Sequence, residues 1–107
     1  MFARKLNIHL KPEMLSEFTK TLEQQIVPLL RKQQGFKDEV AFAVPGSRDV
    51  LSISLWDNQK NAEAYDTSTY KDILKMLDKV IEGAPKVVTT EVLYSTFHVV
   101  PAAVAAA

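Results

Sequence analysis

GFKDEVAFAVPGSRDVLSISLWD, residues 35–57, is the stretch on which the fold turns. It reads as one β-hairpin. The first strand runs to about Val44, the turn takes Pro45-Gly46-Ser47-Arg48-Asp49, and the second strand closes on Trp56. In the first strand Phe36, Val40, Phe42 and Val44 share a parity, with Asp38 as a polar exception, and Lys37, Glu39, Ala41 and Ala43 oppose them. In the second, Leu51, Ile53 and Leu55 oppose Val50, Ser52, Ser54 and Trp56. Side chains alternate between faces along a strand, so each strand has a bulky face and a face rich in small residues.

Outward from the hairpin, Phe2 to Leu10 alternates as well. Phe2, Arg4, Leu6, Ile8 and Leu10 fall on one side, and Ala3, Lys5, Asn7 and His9 on the other. Pro12 and Glu13 suit the first turn of a helix. Leu15, Phe18, Leu22, Ile26, Leu29 and Leu30 then form one apolar stripe, and Gly35 can end the helix in a left-handed conformation. Pro28 falls inside that pattern. It removes the bond to the Gln24 carbonyl, which predicts a kink or break, either wrapping the helix over a twisted sheet or opening a pocket beneath it.

Downstream of the hairpin, Asp57 or Asn58 can cap a short helix reaching Tyr65, which Asp66-Thr67-Ser68-Thr69 interrupts. A second helix follows, with Tyr70, Ile73, Leu74, Leu77, Val80 and Ile81 as its stripe and Gly83 as its stop. Lys86 to about Val99 reads as a long last strand. The element order β-α-β-β-α-β predicts an α+β, ferredoxin-like domain over residues 1–98, with a tail at 99–107. Both helices should cover one face of a four-stranded antiparallel sheet. Leu6, Ile8, Phe42, Leu51, Ile53 and Leu55 are too apolar a set for a face left to water, so a homodimer packed sheet on sheet is expected.

Composition narrows the function classes. A chain of 107 residues is one domain, able to bury about 65% of its unfolded surface. Thirteen basic and thirteen acidic residues cancel, and the pI of about 6.7 argues against nucleic acid as a partner. The chain has no cysteine, which excludes disulfides and thiolate chemistry. No apolar run reaches the ~20 residues of a membrane span, and MFARKLNIHL alternates where a signal peptide would be continuously apolar, so a cytoplasmic protein is expected. Metal-ligand spacings and phosphate-binding glycine loops are missing, so neither a metal nor a cofactor is expected.

Gly35-Phe36 opening the second strand, Leu55-Trp56-Asp57 ending the third, and the AEAY-x-x-S-x-x-Y run from Ala62 to Tyr70 resemble the antibiotic biosynthesis monooxygenase domain family. The resemblance spans residues 2 to about 98. It implies a dimeric α+β barrel with a cavity between sheet and helices in each subunit. It also implies oxygen chemistry on polycyclic phenols and quinols without a cofactor, or haem degradation in one branch. For that branch Asn7 matches a strand-one Asn and Tyr65 stands where a Trp is expected. Leu74 falls near the position of the haem-ligating His, so haem degradation is disfavoured.

The candidate site residues follow. Asn7, a polar residue in mid-strand, could orient a ketone or phenol oxygen or stabilise an oxyanion, or could simply bond to a neighbour. His9, two residues along with the same parity, could deprotonate a phenol, or could be a solvated strand-end imidazole. Trp56, Ser54 and Tyr65 are candidate substrate-binding residues, with Trp56 either a cavity wall or the anchor closing the hairpin. Phe42, Leu51, Ile53 and Leu55 are assigned to the partner subunit. Ala41, Ala43, Ser52, Ser54 and Trp56 are assigned to the helices. The function expected is a cofactor-independent monooxygenase for a small aromatic or quinol-type substrate. The alternative is a non-catalytic dimeric small-ligand-binding or stress-response module.

Overall fold

A computed structural model of the chain describes residues 1–100. Four strands, β1 (Phe2–His9), β2 (Phe36–Ala43), β3 (Asp49–Trp56) and β4 (Lys86–Glu91), form one antiparallel sheet in the order β2-β3-β1-β4. The helices α1 (Leu15–Thr21), α2 (Val27–Leu30), α3 (Gln59–Ser68) and α4 (Tyr70–Leu77) supply the cover. This is the ferredoxin-like α+β arrangement that the order of elements predicts.

Register decides which side chains meet. Leu6 pairs with Ser52 and Asn7 with Leu51, so Leu6 and Ile8 lie under the helices and Asn7 shares the open face with Leu51. Phe2, Leu6, Ile8 and Leu10 accordingly join Phe18, Ile26, Leu30, Val50, Trp56, Tyr65, Ile73 and Leu77 in one core. Leu6 and Ile8 therefore leave the open-face set in which they were expected. Leu51, Ile53 and Leu55 stay half-buried there, and Val40 and Phe42 are exposed. Ser52, Ser54 and Trp56 are buried on the helix side, as assigned. Ala41 and Ala43 share that side by register but remain exposed.

A β-bulge at Lys37 changes the reading of β2. Phe36 pairs with Trp56, but after the extra residue Asp38 pairs with Leu55. Phe36 thus packs edge-on against Trp56 on the helix side, ring centroids 5.7 Å apart, and Phe36, not Asp38, is the residue out of step. Gly35 just before it has φ +83°, and a Cβ there would run into the Asp57 carboxylate and approach Asn61 Nδ2 to 2.6 Å. Only glycine fits both demands.

The first helix begins later than expected. Glu13 has φ +62°, so Pro12 and Glu13 form a turn ahead of α1, and Leu15 is exposed. The disturbance expected from Pro28 takes the form of a π-helical turn, Leu22–Ile26, in which the Val27 N–H reaches back five residues to the Leu22 carbonyl. Widening the helix here accommodates a residue that has no N–H and whose ring would strike the Gln24 carbonyl. The break expected at 66–69 shrinks to Thr69, because Thr67 and Ser68 hydroxyls donate back to the Glu63 and Ala64 carbonyls and stay in α3. The last strand stops at Glu91, well before Val99. Phe2 is its final partner, and the next amide, Val92 N–H, donates to the Met1 carbonyl where the neighbouring strand runs out. The tail from Pro101 lies outside the described residues.

Candidate functional site

One row of polar residues crosses the helix-covered face. Glu39 pairs with Ser54, Ser54 with Arg4, and Arg4 with Thr89, one residue from each strand. Polar groups at such positions must find partners or be satisfied by water. Arg4 and Ser54 are buried. Glu39 accepts a short hydrogen bond from Ser52, and the Trp56 indole N–H donates to Ser54 Oγ at 2.9 Å.

Aromatic rings cap the row. Trp56, fully buried, stacks on Tyr65 with centroids 4.8 Å apart, and Tyr65 lies 6.0 Å from Tyr70. The Arg4 guanidinium carbon sits 4.3 Å from the Tyr70 ring centre and 5.1 Å from that of Tyr65. Its Nη2 donates to Asp66 Oδ1 at 2.7 Å. The faces of two tyrosines and a carboxylate together compensate a charge that would otherwise be costly to bury.

Between this floor and the helices is a cavity of about 30 Å³, lined by Arg4, Glu39, Ser52, Ser54 and Tyr65 on its polar side. Phe18, Leu22, Ile26 and Leu30, four residues apart through the π-turn, supply much of its apolar wall. A water needs roughly 10–15 Å³ of such space, so the cavity holds about two. The groups around it titrate abnormally. Burial lifts the Glu39 carboxyl from 4.5 to about 7, against the Ser52 hydrogen bond that lowers it and with a small rise from Asp38. Burial also pushes the Tyr65 and Tyr70 phenols up, and Arg4 opposes both rises. Tyr65 and Tyr70 therefore stay protonated near neutrality, whereas Glu39 can exchange a proton there.

The expected site is divided by the sheet. Trp56, Ser54 and Tyr65 do come together on the covered face. Asn7 and His9 are exposed on the opposite face, where His9 Nδ1 lies 2.9 Å from Asp49 Oδ1 in an open depression shared with Val44 and Leu51. Their parity opposes that of Leu6 and Ile8, so they do not reach the cavity. Arg4, Glu39, Asp66 and Tyr70 were missed. The signal for Arg4 was present, a cation among Phe2, Leu6 and Ile8 on one strand face. Glu39 had the parity of Ser52 and Ser54 within the hairpin.

Among the described residues no group of His, Asp and Glu is arranged to hold a metal ion, and no helix is long and apolar enough to cross a membrane. Leu74, near which the resemblance leads one to expect a haem-ligating His, is partly buried against the core.

No protein-family model and no curated protein matches the chain. Solved structures do. A Bordetella bronchiseptica protein provisionally described as an antibiotic biosynthesis monooxygenase superposes with a TM-score of 0.72 at 13% identity, covering 84% of this chain and 94% of its own. A Streptomyces coelicolor monooxygenase in complex with nanaomycin D gives 0.71 at 13% identity, covering 94% and 91%. A variant of MhuD with two manganese protoporphyrin IX bound per active site gives 0.73 at 13% identity, covering 90% and 98%. At such identities the likeness is one of backbone architecture, and it agrees with the ferredoxin-like sheet and helices described above. The chain is antibiotic biosynthesis monooxygenase-like in its fold.

Proposed function

We propose that the protein is a cofactor-independent monooxygenase acting on a small phenol or quinol in the space between sheet and helices. The observation that carries this reading is the half-buried Glu39 carboxyl, able to exchange a proton near neutrality, facing the same cavity as Arg4. The substrate would be the only reductant. Glu39 takes the phenolic proton, and the Arg4 charge favours the phenolate that forms. The ring carbon opposite the phenolate oxygen then gives electrons to dioxygen, forming a C–O bond, and Glu39 returns its proton to the distal oxygen to give a hydroperoxide. Loss of its ring proton and cleavage of the O–O bond release water and leave a quinone. Phenol and O2 become quinone and H2O, a four-electron oxidation matched by the four-electron reduction of dioxygen. Tyr65 supplies the aromatic wall against which a planar ring can lie, and Trp56, held by Ser54, stacks on it from within the core.

Asn7 and His9, proposed from the sequence as polarising and deprotonating groups, take no part in this scheme. The scheme requires the helical cover to move, because a cavity of about 30 Å³ is far smaller than an aromatic ring. The π-turn over the cavity is the natural place for that movement. The same small volume, with Trp56 fully packed, favours a second reading, a non-catalytic small-ligand-binding module. In either case the open face carrying Phe42, Leu51, Ile53 and Leu55 is proposed to pack on a second copy.

Oxygen uptake with a panel of phenols and quinols separates the two readings. The monooxygenase reading expects turnover with at least one of them and a loss of roughly 100-fold or more in Glu39→Gln, the range of a lost general base. Uptake that is absent across the panel, or undiminished in Glu39→Gln, would overturn it.

A further inference from the structure

The cavity between sheet and helices meets solvent beside two residues. Of the side chains that line it, only Leu22 and Glu39 are not buried. Leu22 is the first residue of the π-turn, and Glu39 lies on β2, an edge strand of the sheet. Ala41 and Ala43 follow Glu39 on the helix side of that strand, opposite Ser52 and Val50, and both are exposed. The neighbouring helix α3 packs over β1 and β3 instead.

The opposite edge of the sheet is shut. A groove runs there between β4 and α3, lined by Val87 and Thr89 on one side and Ala62 and Glu63 on the other. Arg4 stands between this groove and the cavity. It is 2% exposed, its Nη2 donates to Asp66, and the rings of Tyr65 and Tyr70 lie against its guanidinium. Passage on that side would require breaking the ion pair and stranding a buried charge, which is costly.

From this arrangement we infer that substrate enters past β2, through a mouth whose lips are Leu22 and Glu39, and that Leu22 sets the size of ring admitted. The inference rests on the reading of the cavity as the substrate site. Leucine in a helix has two accessible χ1 rotamers, so a half-buried Leu22 can swing aside without unfolding its turn. Its carbonyl accepts the Val27 N–H across the π-turn, a distortion frequent at functional sites. With Glu39 as the other lip, an entering phenol meets its proton acceptor at the entrance.

The chain has no cysteine, so Ser52→Cys places a single thiol in the cavity lining. Labelling of that thiol by methyl and by benzyl methanethiosulfonate, followed by mass spectrometry, reads access without turnover. Failure here is therefore distinct from failure of the oxygen chemistry. In this background Ala41→Trp, a change at an exposed position beside the mouth, should slow both reagents about 10-fold or more, an effect opposite to that of lost stability. Leu22→Ala should speed the benzyl reagent about 10-fold or more, and the methyl reagent less. Val87→Trp, on the shut edge, should leave both rates unchanged. The rates should also be independent of urea below the unfolding transition, since entry occurs in the folded chain. Labelling that Ala41→Trp does not slow, equal acceleration of the two reagents in Leu22→Ala, slowing by Val87→Trp, or rates that climb from the first additions of urea would each overturn the inference.

Discussion

The two faces of the sheet each break the usual division of polar and apolar residues in one place. Amid the apolar core, the covered face buries Arg4, Ser52 and Ser54 and half-buries Glu39. The uncovered face exposes Val40, Phe42 and Val88 and carries Leu51, Ile53 and Leu55 half-buried. A half-solvated antiparallel sheet ordinarily keeps its apolar side inside and its polar side in water. Polar groups under a roof cost free energy, and a contiguous apolar face in water marks an interaction surface. In the proposed function the covered face takes the proton and ligand chemistry and the open face the association.

The largest expected effect tests the covered face as a packed unit. Trp56→Ala removes the ring that holds Phe36 and Tyr65 together and leaves Ser54 without its donor. A loss of about 3–5 kcal/mol is expected in urea unfolding. A cost below about 1 kcal/mol would mean that the ring is not the anchor described.

Next comes the cost of burying Glu39. Below pH 4.5 the carboxyl is protonated in both folded and unfolded chains. Between 4.5 and about 7 the folded chain retains a proton that the unfolded chain has released, so stability falls as pH rises. Glu39→Gln lacks this slope. The variant should therefore be more stable than the natural chain above pH 7, by up to about 3 kcal/mol, with the advantage vanishing below pH 4.5. Unfolding midpoints from pH 4 to 8 check it, and parallel curves for the two proteins would refute the raised titration.

The open face is tested by charge. Ile53→Arg places a guanidinium in the middle of the apolar set. If that face joins two copies, sedimentation should show association weakened to the point of monomer at micromolar protein, a shift of roughly 100-fold or more. A natural chain that sediments at 12.0 kDa would remove the dimer altogether.

The smallest effect is expected at the polar residues of the open face. Asn7→Ala should change stability by no more than about 0.5 kcal/mol and, where oxygen uptake is found, leave it unchanged. A large loss of uptake in Asn7→Ala would move the chemistry to the other face.

These predictions also show how far the sequence could be read. Alternation placed the first three strands and β-branched composition the start of the fourth, and the pairing of Ser52, Ser54 and Trp56 on the helix side was legible from the hairpin. The turn at Pro28 was legible as a disturbance, though its π-helical form depends on how Leu22 and Val27 settle around the proline. The bulge at Lys37 was not legible, since one extra residue alters pairing without altering composition. Asn7 and His9 drew notice because polar residues are unusual in mid-strand. Which side of β1 the helices cover, however, depends on the register Leu6–Ser52 and Asn7–Leu51, a long-range property. The same register gives Arg4 its place in the row with Glu39, Ser54 and Thr89. Val92 to Val99 has strand composition, but strand composition cannot supply a partner once β1 has ended at Phe2.

The claim at the centre is that the covered face carries the chemistry, and the hairpin residue Glu39 reports on it most directly. Following the Glu39 side-chain carboxyl by carbon-13 NMR across pH 3 to 10 measures its titration in the intact protein. A midpoint near 7, with the Tyr65 and Tyr70 phenols still protonated there, is the result the structure predicts. A midpoint near the ordinary 4.5 would mean that the carboxyl is solvated, and would contradict it.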